Sequence, residues 1–206
     1  AARAHHPAMN RLTRAFVCLL FAAMSVGGRP LRANASEEEL WRYRNLGKAF
    51  YENPTTQYEA VEQFKQALDL APHSARERVN YALALLRAGK TNEGIAEMER
   101  VQRQDPALPH SWFNLGIQYK KQGTPESNAR AMAQFERMIQ LAPEEPISHY
   151  NLGYLYKVGG RTADALRHFE IAARLDPNLA GPHFQLYNAY RDPRVARPDD
   201  AARELA

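Results

Sequence analysis

Apolar and small residues recur at fixed offsets along most of this chain, and the arrangement returns about every 34 residues. Its fullest form is Trp112, Leu115, Gly116 and Tyr119, then Ala131, Phe135, Met138 and Pro143. The first copy is Tyr43, Leu46, Gly47, Phe50, Ala60, Phe64, Ala67 and Pro72. The second and most degenerate is Arg78, Tyr81, Ala82, Leu85, Gly94, Met98, Val101 and Pro106. A fourth reads His149, Leu152, Gly153, Tyr156, Ala165, Phe169, Ala172 and Pro177, its last proline 34 residues after Pro143. A fifth opens with His183, Leu186, Tyr187 and Tyr190 and continues to Ala201 and Leu205. Offsets of three and four align side chains along one helix face, so each copy predicts two helices joined by a turn.

Each residue type has a physical task at its position. Gly47, Ala82, Gly116 and Gly153 fall in the first helix of each pair and Ala60, Gly94, Ala131 and Ala165 in the second, where small side chains let two backbones approach closely. Phe64, Met98, Phe135 and Phe169 lie four residues further on, one turn along the same stripe, and fill the space beside that approach. Pro72, Pro106, Pro143 and Pro177 disfavour helical geometry in the residue before them and so end each second helix. This pattern resembles the tetratricopeptide repeat. The resemblance implies an all-α fold, a right-handed superhelical α-solenoid with four complete repeats and a fifth that is partial.

The repeats are expected at about residues 40–73, 74–108, 109–145, 146–179 and 180–206. One extra residue falls near Asn53, Pro54, Thr55 and Thr56, and three more fall within residues 122–130, both in turns between paired helices. Thr124 followed by Pro125 suits an N-cap with proline in the first helical position, which predicts a second helix longer by about one turn. Ser36 with Glu37, Glu38 and Glu39 reads as a capping box that opens the first helix.

Residues 1–35 are of another kind. They contain no acidic residue; Arg11 and Arg14 precede an apolar run over residues 15–26, and Ala33, Asn34 and Ala35 end the segment. That is the layout of a bacterial secretory signal peptide cleaved after Ala35, with residues 1–8 an upstream addition. The apolar run is too short for a comfortable membrane span, so no stable anchor is expected after cleavage, and the array of residues 36–206 is expected to be exported, periplasmic or secreted.

This division changes the charge. Of 27 Lys and Arg, five arginines lie in residues 1–35, leaving 22 against 23 Asp and Glu. The chain's pI near 9.2 therefore describes the leader, and with no basic run beyond Lys120 and Lys121 nucleic acid is not an expected partner. The lone cysteine, Cys18, is also in the leader. Catalytic chemistry, metal and cofactor are not expected. Gly89, Lys90 and Thr91 mimic the end of a phosphate-binding loop, but Ala84 stands where the motif needs glycine. His73, His110, His149, His168 and His183 include no pair at metal-helix spacing, and His149 and His183 occupy the packing slot of Trp112.

What remains is a surface. In each first helix the residue before the Leu-Gly position is an amide: Asn45, Asn80, Asn114, Asn151 and then Gln185. Superhelical tetratricopeptide arrays carry asparagines here on the concave groove, so the resemblance implies a ladder that grips the backbone of an extended peptide. An amide offers both donors and an acceptor and can pair with peptide N–H and C=O alike. At about 1 kcal/mol net per bond, four contribute roughly 4 kcal/mol before association costs, in line with micromolar binding. Arg44 and Lys48 make the first repeat cationic, while Phe113, Tyr150 and Tyr154 make the middle aromatic, which suits a protein or peptide with an acidic or carboxylate end. Asparagine at this position also caps or bridges within such grooves, so the ladder alone does not require a ligand.

Three functions stay open: a peptide-binding scaffold, an oligomerisation module that self-associates through the open fifth repeat at Leu205, and an accessory part of a larger exported protein whose catalytic or β-propeller domain lies beyond residue 206.

Overall fold

A computed structural model describes residues 35–192 and residue 195. The regular structure of those residues is entirely helical: α1 Ala35–Glu52, α2 Gln57–Leu70, α3 Ala75–Arg87, α4 Thr91–Gln104, α5 Pro109–Gln122, α6 Pro125–Leu141, α7 Pro146–Val158, α8 Thr162–Leu175 and α9 Ala180–Tyr190. The chain divides into Ala1–Glu39, which contributes only the opening of α1 to the described residues, and Leu40–Ala206, which holds the rest. Within the latter, α3 packs on α4, α5 on α6 and α7 on α8, and each pair packs on the next through α2–α3, α4–α5, α6–α7 and α8–α9. Helix pairs that each stack on the next pair along the chain make an α-solenoid, as the repeat predicted.

Two kinds of turn alternate. Within the second to fourth pairs, Gly89, Gly123 and Gly160 adopt φ of +78, +72 and +75°, a left-handed conformation in which glycine carries no Cβ penalty. The Gly89, Lys90, Thr91 motif is thus a turn. The first pair turns without glycine: Asn53 Oδ1 accepts from the Thr55 amide at 3.0 Å, and Thr56 Oγ1 donates to the Phe50 carbonyl at 2.9 Å. Between pairs, each repeat-ending proline is the second residue of a β-turn closed by an amide three residues on, Ser74 to Ala71, Leu108 to Asp105, Glu145 to Ala142 and Leu179 to Asp176. Proline supplies the φ that this turn position needs.

Caps follow the local sequence. Thr124 Oγ1 accepts from the Ser127 amide at 3.1 Å and the Ser127 hydroxyl reciprocates to the Thr124 amide at 2.9 Å, opening α6 with Pro125 in its first turn. At 17 residues α6 is about a turn longer than the 14 of α2, α4 and α8, as the insertion predicted. The cap expected at Ser36 differs. Helix α1 already includes Ala35, so Ser36 lies inside its first turn, where Glu37 and Glu38 face the positive end of the helix dipole. The leader read over residues 1–35 lies, Ala35 excepted, outside the described residues, as do Ala201 and Leu205 of the fifth repeat.

The core is a sequence of ring-on-glycine contacts. A Cβ placed on Gly47, Gly116 or Gly153 would stand 2.8 Å from the ring of Phe64, Phe135 or Phe169 respectively, so the aromatic ring rests on the opposite helix backbone. In the second pair the roles reverse: Gly94, on the second helix, receives Leu86 from the first, at 2.7 Å from such a Cβ. Leu115, Leu152 and Leu186 are buried beneath the preceding repeat, whereas Leu46, with no earlier repeat among the described residues, is 40% exposed.

Gly116→Ala therefore overpacks Phe135 by about 1–3 kcal/mol, more than the helix-propensity gain of about 1 kcal/mol, and its urea midpoint falls. Gly159→Ala, at φ −79° with its nearest neighbour 3.4 Å away, leaves the midpoint unchanged or raises it.

Candidate functional site

Asn45, Asn114 and Asn151 stand two residues before Gly47, Gly116 and Gly153, which receive the partner helix, about 200° around the helix, and so leave on the side away from the pair's interior; Asn80 and Gln185 hold the same register. Their surroundings change along the array. Asn45 is exposed and, with Arg44, Lys48, Tyr51, Arg76 and Asn80, lines a cavity of about 360 Å³. Asn80 also reaches a second cavity of about 540 Å³ with Val79, Leu83, Leu108 and His110. Asn114 donates through Nδ2 to the His110 carbonyl at 2.7 Å, which turns its Oδ1 outward with no partner among the described residues. Asn151 is buried and engaged at both ends, donating to the Ile147 carbonyl at 2.7 Å and accepting from Lys120 Nζ at 2.6 Å. Gln185 Oε1 accepts from Lys157 Nζ at 2.7 Å. The structure thus joins Asn45 and Asn80 in one cavity and ties Asn151 and Gln185 to lysines of the preceding repeat.

The flanking residues divide in the same way. Arg44 Nη2 and Nε hydrogen-bond Glu77 Oε1 at 2.5 and 3.1 Å, and Glu77 is fully buried. Sequence reading missed this carboxylate. Its signal is that Ser111, Ser148 and Pro182 hold the equivalent position, so an acid there stands where small or apolar residues fit elsewhere. Lys48 remains at the surface, 3.9 Å from Glu52. Phe113 packs edge-on against Phe135 at 6.2 Å between centroids and Tyr150 leans on Phe169 at 6.0 Å, so both belong partly to the core. Tyr154 is exposed, with Lys120 Nζ 4.5 Å from its ring centroid.

Polar bonds between repeats form two further rows that the sequence reading did not pick out. The first-position side chain of repeats two to five meets the carbonyl of the proline six residues earlier: Arg78 to Pro72 at 2.9 Å, Trp112 to Pro106 at 3.0 Å, His149 to Pro143 at 3.0 Å and His183 to Pro177 at 3.1 Å. A closing tyrosine donates to the glutamate just after the core residue of the preceding repeat: Tyr119 to Glu99 at 2.7 Å, Tyr156 to Glu136 at 3.0 Å and Tyr190 to Glu170 at 2.7 Å. Burial, followed by the bond to Glu99, pushes the Tyr119 hydroxyl up to about 12. The sequence signal was a Glu directly after Met98, Phe135 and Phe169, with Tyr 20 residues later.

His149 and His168 stack with Nδ1 atoms 3.0 Å apart. A carbonyl only accepts, so His149 Nε2 carries the proton toward Pro143, its Nδ1 accepts, and His168 Nδ1 donates. Burial first, then His149 and Arg167, lowers His168 to about 4 against a small opposing effect of Asp164.

Among the described residues no group of three or more His, Cys, Asp or Glu is placed to hold a metal ion, and no helix is long and apolar enough to cross a membrane. The tetratricopeptide repeat model matches residues 58–117 and 126–180, more than half of the chain. The chain belongs to the tetratricopeptide repeat family. No curated protein sequence matches it significantly. Similar solved structures include MamA 41-end from Desulfovibrio magneticus RS-1, at 18% identity and TM-score 0.68 over 81% of this chain and 91% of that one. A MamA RS-1 double mutant gives 17%, 0.69, 81% and 90%, and another MamA protein 17%, 0.67, 82% and 88%. At such identities the likeness concerns the fold alone. Tetratricopeptide arrays are protein-interaction scaffolds, and the fold generally carries no catalysis.

Two stability effects follow from these contacts. Arg44→Met strands the buried Glu77 carboxylate and costs about 3 kcal/mol by chemical denaturation, while Arg44→Met combined with Glu77→Ser, the residue of the next two repeats, recovers most of it. As pH falls from 6.5 to 4 the unfolded chain takes up the His168 proton before the folded chain does. The stability fully present above pH 6.5 is lost across that window, and His168→Gln, which keeps a donor for His149 but does not titrate, flattens this part of the stability-pH curve.

Proposed function

We propose that this chain is a non-enzymatic scaffold whose inner wall holds an extended peptide segment by its backbone. One observation carries the reading: amides from two successive repeats, Asn45 and Asn80, border a single cavity together with the cationic Lys48 and Arg76. A peptide laid across it meets donors and acceptors from both repeats, and its acidic or carboxylate end meets the cations of the first. Asn114 extends this wall with its outward Oδ1, and Phe113, Tyr150 and Tyr154 supply an aromatic floor for side chains. Asn151 and Gln185 belong to the same row and take part through the lysines they hold. The acid-free, signal-like sequence of residues 1–35 supports action outside the cytoplasm of a bacterium.

Phage-displayed ten-residue peptides selected on the wild-type protein test this. The triple variant Asn45→Ala, Asn80→Ala, Asn114→Ala is expected to keep its far-UV circular dichroism and to bind the selected peptides at least about tenfold more weakly, the order of one to three hydrogen bonds. Undiminished binding by the triple variant would refute a backbone grip.

A further inference from the structure

The row of first helices carries a second ladder near their C-terminal ends. Lys120 on α5, Lys157 on α7 and Arg191 just past α9 occupy the same register, six residues after Asn114, Asn151 and Gln185; the first two repeats have Tyr51 and Leu86 there. Both lysines are fixed by the amide of the following repeat, at 2.6 Å to Asn151 and 2.7 Å to Gln185. Among the described residues neither ammonium, nor the Arg191 guanidinium, has a carboxylate within ion-pair distance. Arg191 instead donates to the Tyr187 hydroxyl at 2.8 Å.

Lys120 is the most constrained. It is half-buried, with Tyr150 and Tyr154 ring centroids 5.8 and 4.5 Å from Nζ, and that burial lowers its pKa. An ammonium has three donors, and only one meets an oxygen here. A desolvated cation is costly unless an anion completes it. Amide and rings compensate part of this cost and leave the remaining donors without an oxygen partner among the described residues.

We propose that repeats three to five read side-chain carboxylates of an extended acidic peptide, with one anionic subsite at Lys120 and the next at Lys157. This deepens the scaffold reading and rests on it: Asn45, which is free, and Asn80, whose Nδ2 donates to Glu77 Oε2 at 3.5 Å and leaves its Oδ1 open, hold backbone, and the lysine-capped amides of the later repeats select charge. Spacing narrows the sequence further. Lys120 reaching Asn151 makes α5 and α7 direct neighbours, and packed helices lie about 8–10 Å apart. A polyproline II segment rises about 3.1 Å per residue with three residues per turn, so carboxylates every third residue fall on one side at about that distance. The array without its leader is close to neutral, with 22 Lys and Arg against 23 Asp and Glu, which favours a peptide with local charge over a polyanion such as nucleic acid.

Fluorescence anisotropy with three labelled probes tests this: a peptide of repeated Glu-Pro-Ala triplets, its Gln-Pro-Ala counterpart, and an oligothymidylate of equal charge. The full chain is expected to bind the Glu peptide about tenfold or more tighter than the Gln peptide, less so as salt rises. Lys120→Met and Lys157→Met each reduce that difference and together remove most of it, without changing helicity. Equal binding of the two peptides, binding of neither, an unchanged preference in the double lysine variant, or equal capture of the oligothymidylate overturns the proposal. The scaffold reading is judged separately by the asparagine triple variant, which leaves both lysines in place.

Discussion

A phenyl ring seated on a glycine is the contact from which the rest of this architecture takes its geometry. Because Gly47, Gly116 and Gly153 carry no side chain, Phe64, Phe135 and Phe169 lie directly on the backbone of the facing helix. Ring thickness then fixes the separation of each pair, and the helical period fixes which residues leave on the opposite side. The amides lie two residues from the glycines, so the same contact that closes the core also turns Asn45, Asn114 and Asn151 away from it. The second pair reaches a similar result with large and small exchanged, Leu86 over Gly94, and its apparent degeneracy in sequence is a change of which helix supplies the space.

Junctions between repeats depend on polar bonds as much as on packing. The proline that ends one repeat leaves a carbonyl with no helical partner, and the opening side chain of the next supplies a donor, whether guanidinium, indole or imidazole. Three chemically different groups do one task because the requirement is only an N–H at the right reach. The Tyr–Glu bonds form a parallel row, and where Tyr gives way to Leu85 the matching glutamate position is Lys65, which pairs with Asp69 instead. That junction has Arg44 and Glu77 in compensation. In a solenoid, stability is a sum over such neighbouring interfaces, so each substitution is answered within its own junction.

The amide row is graded. It passes from free at Asn45, through half-used at Asn114, to engaged at both ends at Asn151, where the Ile147 carbonyl and Lys120 take up the side chain.

The helices, the turns and the longer α6 were legible in the sequence, because helix period, left-handed glycine, proline turns and the Thr124 cap are local properties that one or two turns of chain decide. The row of Asn45, Asn80, Asn114, Asn151 and Gln185 was legible as a register for the same reason. Ser36 was not, since a helix boundary one residue earlier depends on no strong local signal. Burial of Glu77 under Arg44, the proton order of His149 and His168, and the capture of Asn151 by Lys120 join residues roughly 20 to 30 positions apart. Sequence by itself determined the solenoid and the register of its amide row, because these repeat with the chain. Only the tertiary structure decided which of those polar groups are already satisfied by a neighbouring repeat, because that depends on distances set by the stacking of one pair on the next.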